Sequence, residues 1–212
     1  MLPIIEIHIG DFEGFVYTYA LCCGLGLSHL IIGVDHLARK MGFDHESTAQ
    51  FLMALGLACC GGWVAGVLAS QVVSNDLPLG TVTAMPGIIT TIFLLVFAAR
   101  FWRFSLLQYL DLVAPIWCFA HCWGRLGCFM AGCCFGIPTE GPWAVTFPDG
   151  SFAHAEHGTT GVHPTQLYEM GLLFVLGLAL TYRVKPGWRV ALYLLGYGVG
   201  RFIIEYFLTT RP

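Results

Sequence analysis

Charge is what this sequence has least of. Of its 212 residues only 11% are Asp, Glu, Lys or Arg, whereas 57% are hydrophobic, and the mean hydropathy is +0.72. A water-soluble domain carries about 25% charged residues, so an integral membrane protein is expected instead. The 10 basic and 13 acidic residues leave a formal net charge of -3, which gives no electrostatic footprint for nucleic acid. The opening residues, MLPIIEIHIGDFEG, lack a basic segment and a small-residue cleavage site, and they read as mature sequence rather than a removed signal. No C-x-x-C spacing occurs among the nine cysteines. A standard metal knuckle is therefore missing, and neither metal nor cofactor is expected. Most of these thiols lie in apolar runs, where cysteine acts as a small hydrophobe. No repeated pair of broken apolar segments suggests a secondary transporter.

Long apolar runs are what the sequence has in plenty. Runs of about 20 residues can cross a hydrocarbon core about 30 Å thick, and they occur near 14–35, 49–73, 82–99, 106–130, 165–182 and 190–208. The expected fold is an all-α membrane protein, a polytopic bundle of about six transmembrane helices in a single domain over 1–212. Pro86-Gly87 and Ala114-Pro115 fall inside spans, where neighbouring helices satisfy the freed backbone groups. Gly62/Gly66, Gly132/Gly136 and Gly196/Gly200 have the spacing that lets helices approach closely. PWAVTFPDG, after the fourth span, alternates like a short strand running into a turn.

Basic residues orient the chain. Arg39 and Lys40, Arg100 and Arg103, and Arg183, Lys185 and Arg189 follow alternate spans, while 1–13, 74–81 and 137–163 contain no Lys or Arg. The N-terminus and loop 137–163 are thus expected outside the cytoplasm. Arg211 sits at the C-terminus, next to Pro212, which leaves Arg125 and Arg201 inside spans, in the outer half of the membrane. An ionisable residue at that depth costs several kcal/mol unless paired, so it marks a functional site. Glu205, four residues after Arg201, offers a local ion pair; Arg125 has no sequence-local partner. A phospholipid phosphate would serve both, because guanidinium presents a fixed fork to phosphate oxygens. Gly124, Gly127 and Gly132 leave room for a lipid head to approach the backbone. His163-Pro164-Thr165-Gln166-Leu167-Tyr168-Glu169 then reads as the start of a helix lining a polar site, with plain capping by His163 and Thr165 as the simpler alternative.

Several stretches together resemble the prolipoprotein diacylglyceryl transferase family. They are Gly124-Arg125-Leu126-Gly127, then FGIPTEGPWAVTFPDG, HPTQLYE and GYGVGRFIIEYF, preceded by VYTYAL and DLVAPI. The resemblance implies a bacterial inner-membrane, multi-pass transferase with its active site toward the outer side. Such an enzyme moves the diacylglyceryl group of phosphatidylglycerol to a prelipoprotein lipobox cysteine, forming a thioether and releasing glycerol phosphate. It implies catalytic roles for Arg125, Arg201 and Glu205, with Tyr19 as the family's first-helix tyrosine. The sequence departs from the family pattern where Cys128 replaces an asparagine and Cys133 a glutamate. The third-helix histidine has no counterpart in Thr83-Ala84-Met85-Pro86-Gly87, and the family's last transmembrane helix is expected to be absent.

Alkyl transfer to sulfur needs a thiolate and a stabilised phosphate leaving group. Candidates to take the thiol proton are Glu205, His163 and His121, the last sharing a helix face with Arg125 and Cys128. The candidate catalytic set is Arg125, Arg201, Glu205 and His163. The candidate substrate-binding set is Tyr19, Gly124, Gly127, Cys128, Cys133, Gly136, Gln166, Tyr168 and Glu169. Three alternatives stay open: a related phospholipid-dependent transferase with another acceptor, a non-catalytic phospholipid-binding protein, and a cysteine-based redox or metal protein.

Overall fold

The computed structural model describes residues 4–9, 12–72 and 79–208, with side chains over 17–69 and 86–208. Part of the expected outer segments 1–13 and 74–81, Arg211, and the side chains of Thr83, Ala84 and Met85 lie outside the described residues. The order is β1 (Ile4–Ile9), β2 (Phe12–Tyr17), α1 (Thr18–Lys40), α2 (His45–Val72), α3 (Leu79–Trp102), α4 (Leu106–Ala131), α5 (Phe152–His157), α6 (Thr165–Tyr182) and α7 (Arg189–Glu205). The six long helices coincide with the six expected spans. Thr18–Lys40, His45–Ala69 and Thr165–Tyr182 are each long and apolar enough to cross a membrane, and Pro86–Trp102 is a shorter apolar helix. Ile32, Trp63, Phe93, Phe101, Val175 and Phe202 point outward from these helices. Exposed to water each would forfeit ~1.5–3 kcal/mol of burial, whereas lipid accepts them. The chain is a helical membrane protein.

Two local features differ from the sequence reading. The first span begins at Thr18, because the residues before it pair as an antiparallel hairpin from Ile4↔Tyr17 to Ile9↔Phe12. PWAVTFPDG forms no strand: only the isolated bridge Val145↔Val162 appears there. Pro142 and Pro148 bound this stretch and carry no N–H to extend a ladder.

Two compact units are present. In one, Asp35–Leu110, α2 packs on α3. Gly62 meets Thr91 and the Gly87 carbonyl, so both helix backbones approach closely. The Thr91 hydroxyl bonds the carbonyls of Gly87 (2.9 Å) and Ala58 (3.2 Å). Phe51 stacks on Tyr109 at 4.7 Å, and Phe104 meets Tyr109 edge-on at 5.7 Å.

The other unit, Met1–Val34 with Asp111–Pro212, carries the candidate site. A Cβ on Gly127 would lie 3.1 Å from the Tyr19 ring and 3.2 Å from Cys22, so this glycine lets α4 pack on α1. That is its place in the structure, in contrast to the lipid-facing position expected for it. Gly196 and Gly200 lie against Leu176 and Leu172 of α6, as helix-packing glycines. Buried Asp111 accepts from the backbone N–H groups of Gly187 (2.6 Å) and Val190 (3.1 Å). A carboxylate there satisfies orphan donors at the start of α7 and favours the positive end of its dipole. Phe135, Phe147, Ala153 and Val162 form a small core beneath the loop after α4.

Candidate functional site

Glycine ends α4 and sets the path of the turn beyond it. Gly132 has φ +68°, its N–H bonds the Phe129 carbonyl (3.2 Å), and the Cys133 N–H bonds the Cys128 carbonyl (3.1 Å). This pair of bonds is a Schellman C-cap, which folds the chain back over the last helical turn. The helix therefore stops at Ala131, and Gly132/Gly136 are not a helix-packing pair. Cys134 follows with φ +59°. The turn gathers three thiols, with the sulfurs of Cys128, Cys133 and Cys134 all within 4.8 Å of one another. Hydrogen bonds from the Cys128 and Cys133 thiols, and then the Arg125 and Arg201 guanidiniums, pull the Cys134 thiol well below the ordinary range. It is also exposed.

Helix α6 buttresses the turn. Gln166 Nε2 donates to the Cys133 carbonyl at 2.5 Å, and Thr165 Oγ1 donates to the Cys134 carbonyl at 2.6 Å. The Thr165 hydroxyl is thus used on the turn, and Pro164 occupies the N-cap of α6 without a side-chain cap bond. The Gly136 N–H donates to the His163 carbonyl (2.8 Å), and a Cβ at Gly136 would run into His163 and Thr165. Gly136 allows that close backbone contact, another difference from a lipid-contacting role. His163 Nδ1 shares a 3.0 Å hydrogen bond with the Tyr168 hydroxyl, and its ring lies between Trp143 and Phe207.

The two arginines left unexplained by topology meet on one carboxylate. Glu169 of α6 is 2% exposed and accepts Arg125 at 2.8 Å from α4, with Arg201 of α7 at 3.9 Å. Arg201 also pairs with Glu205 at 2.8 Å, and the Glu205 side chain is 60% exposed. Tyr197 donates to Glu169 at 2.7 Å, and His121 Nε2 lies 3.9 Å from the same oxygen. Arg125 Nε is buried without a partner, so its fork retains donor capacity. A Cβ at Gly124 would meet nothing within 4 Å, which leaves open space on α4 next to Arg125.

Among the expected site residues, Arg125, Arg201, Glu205 and Glu169 form one ion-pair chain. Cys128, Cys133 and Gln166 form the adjoining turn. Tyr19 packs on Gly127, and His163 with Tyr168 forms a separate aromatic corner. Tyr197 is the member that the sequence reading passed over. Tyr193, Tyr197, Arg201 and Glu205 recur every four residues on α7, and that stripe was the available signal for Tyr197.

Arg125 lies near the C-terminal end of α4, Glu169 in the first turns of α6 and Arg201 near the end of α7. The fold and this cluster define a polytopic helical membrane protein with a paired-arginine site at one end of three helices. A family model described as prolipoprotein diacylglyceryl transferase matches residues 5–211, and the chain belongs to that family. A Clostridium tetani protein named phosphatidylglycerol–prolipoprotein diacylglyceryl transferase is 32% identical over 208 residues, spanning 90% of this chain and 80% of its own. A Bordetella bronchiseptica protein of the same name is 32% identical over 91% of this chain and 74% of its own. A third, from Idiomarina loihiensis, is 40% identical over 57% of this chain and 44% of its own.

Proposed function

We propose that this protein transfers the diacylglyceryl group of phosphatidylglycerol to a cysteine thiol of a prolipoprotein, forming a thioether and releasing glycerol phosphate. Family membership supports the reaction class. The observation that carries it to these residues is the convergence of Arg125 and Arg201, from two helices, on buried Glu169. Ionisable residues within membrane spans face the bundle interior, pair with one another and mark substrate sites.

The phosphate of the donor lipid sits on the remaining guanidinium donors of Arg125 and Arg201. As the acceptor sulfur attacks the glyceryl carbon, the C–O bond to phosphate breaks and charge grows on the leaving oxygen. Fixed guanidiniums stabilise that charge without reorganising. Glu169, held also by Tyr197, keeps them in place. Glu205 is solvent-exposed, and an exposed i,i+4 pair is worth ~0.3–0.5 kcal/mol, so phosphate can replace it on Arg201 at little cost. Freed in this way, Glu205 is available to take a proton. Gly124 leaves space for the lipid head beside Arg125, with Tyr19 one turn further along the α4 surface. His163 and Tyr168 form a polar corner at the start of α6 for the lipobox segment. The protein resides in the bacterial inner membrane, with the N-terminus, loop 137–163 and the site facing outward, in keeping with the basic residues after alternate spans.

The test is direct. Purified protein in phosphatidylglycerol vesicles, incubated with a lipobox peptide, is expected to yield a thioether-linked diacylglyceryl peptide and glycerol phosphate by mass spectrometry. Phospholipid binding with no product from any cysteine peptide would leave a lipid-binding protein and end the transferase reading.

A further inference from the structure

The three-thiol turn has no part in the phosphate chemistry, yet it is constructed at some conformational cost. Cys134 adopts φ +59°, a left-handed conformation that strains a non-glycine residue. The Schellman bonds fix Cys133 over Cys128, while Gln166 and Thr165 hold the carbonyls of Cys133 and Cys134. Gln166 is 1% exposed, and its Oε1 is buried without a partner beside the turn. The sulfurs lie within 4.8 Å of one another. Zinc–sulfur bonds of about 2.3 Å in a tetrahedron place sulfurs ~3.8 Å apart, so side-chain rotation of about an ångström closes the set.

We propose that Cys128, Cys133 and Cys134 form a three-thiolate zinc site whose open fourth position receives the acceptor thiol. Thiolates select zinc over hard cations. Among the described residues no fourth His, Cys, Asp or Glu joins the group. Three protein ligands with a vacant position is the arrangement of catalytic zinc, whereas structural sites are closed by four. The group opens to one side, since Cys128 is buried, Cys133 half-buried and Cys134 exposed. Gln166 and Thr165 supply the outer hydrogen bonds that orient ligands in such sites. The ligand set stands on this geometry; giving the fourth position to the acceptor rests on the transferase reading.

The arrangement answers how the acceptor becomes a nucleophile. A thiol bound to zinc is deprotonated, and its proton passes through water to the freed Glu205. The zinc-held sulfur attacks the glyceryl carbon, an S–C bond forms, and the C–O bond to phosphate breaks. The electron pair leaves on the phosphate oxygen, where Arg125 and Arg201 receive it. The thioether product carries no charge, binds zinc weakly and departs.

The experiment uses reduced full-length protein in phosphatidylglycerol nanodiscs, loaded with Zn2+ or Co2+ alone. The expected content is about one metal per chain, and the cobalt form should show thiolate-to-metal absorption and tetrahedral d–d bands. A lipobox peptide should shift those bands, and the same peptide with serine in place of cysteine should not. Cys128→Ser, Cys133→Ser and Cys134→Ser should each weaken metal binding at least ~10-fold, and Gln166→Ala about as much. Cys59→Ser on α2 should match the parent, and Cys134→His, which keeps a ligand, should retain metal if folding alone is intact. Metal content below a tenth of an equivalent, or equal in parent and cysteine variants, overturns the proposal. So does a cobalt spectrum indifferent to the cysteine peptide. Undiminished transfer by chelated, metal-free protein overturns the zinc role and leaves the transferase reading standing. A peptide-responsive cobalt site with no transfer counts against the transferase reading alone.

Discussion

Glu169 is the residue through which the site is organised. It is almost fully buried, it binds Arg125 and Tyr197 directly, and it lies within reach of Arg201 and His121. Removing one partner of a buried ion pair strands the other charge and costs ~3–5 kcal/mol. Glu169→Gln is therefore expected to lower the melting temperature sharply, whereas Glu205→Gln, at an exposed pair, should shift it little. Thermal unfolding of the two variants in the same detergent checks this; equal effects would mean that Glu169 is not the anchor. Both arginines and Glu205 were legible in the sequence, the arginines because they were the basic residues left over after the topology was assigned. The partner of Arg125 was not, since Glu169 approaches from another helix and local spacing carries no trace of it. His163 shows the opposite case: its sequence neighbourhood suggested catalysis, and its side chain shares a hydrogen bond with Tyr168 and packs against Trp143 and Phe207.

At the scale of elements, the turn after α4 matters most. Gly132 holds φ +68°, and a Cβ there would lie 2.7 Å from the Ser151 Cβ. Gly132→Ala should combine ~1–2 kcal/mol of left-handed strain with that clash. A lower melting temperature and a turn opened to proteolysis between Ala131 and Phe135 are the expected result. An unchanged protein would show that the C-cap does not hold the turn. The long helices were readable because apolar runs are long and their caps matter little to a membrane span. The hairpin at Ile4–Tyr17 was not, although Ile4-Ile5-Glu6-Ile7-His8-Ile9 ends in the alternation of a strand. An apolar run beside a span is easily absorbed into it. PWAVTFPDG misled in the other direction: it has alternation, but prolines on both sides limit it to a single isolated bridge. The short helix α5 was hidden for a related reason, since its N-cap Ser151 is visible only when its acceptance from the His154 N–H is seen.

The whole molecule is oriented by charge. If loop 137–163 faces outward, a thiol at exposed Glu140 should react with an impermeant maleimide added to intact cells. Ser151 is unsuitable for this, being 4% exposed beneath the α5 cap. Glu140→Cys labelling that exceeds the parent's background only after lysis would reverse the topology. The central claim, however, is that two arginines from different helices hold one lipid phosphate. Its most direct test is the amount of phosphatidylglycerol that co-purifies with the parent, Arg125→Ala, Arg201→Ala and the double variant, measured by mass spectrometry per mole of protein. Each single variant should lose most of the bound lipid, and the double should be little worse, because groups acting as one unit are not additive. Lysine at either position should restore little, since a point charge lacks the bidentate fork. A double variant that still carries phosphatidylglycerol at the parent level would contradict the account.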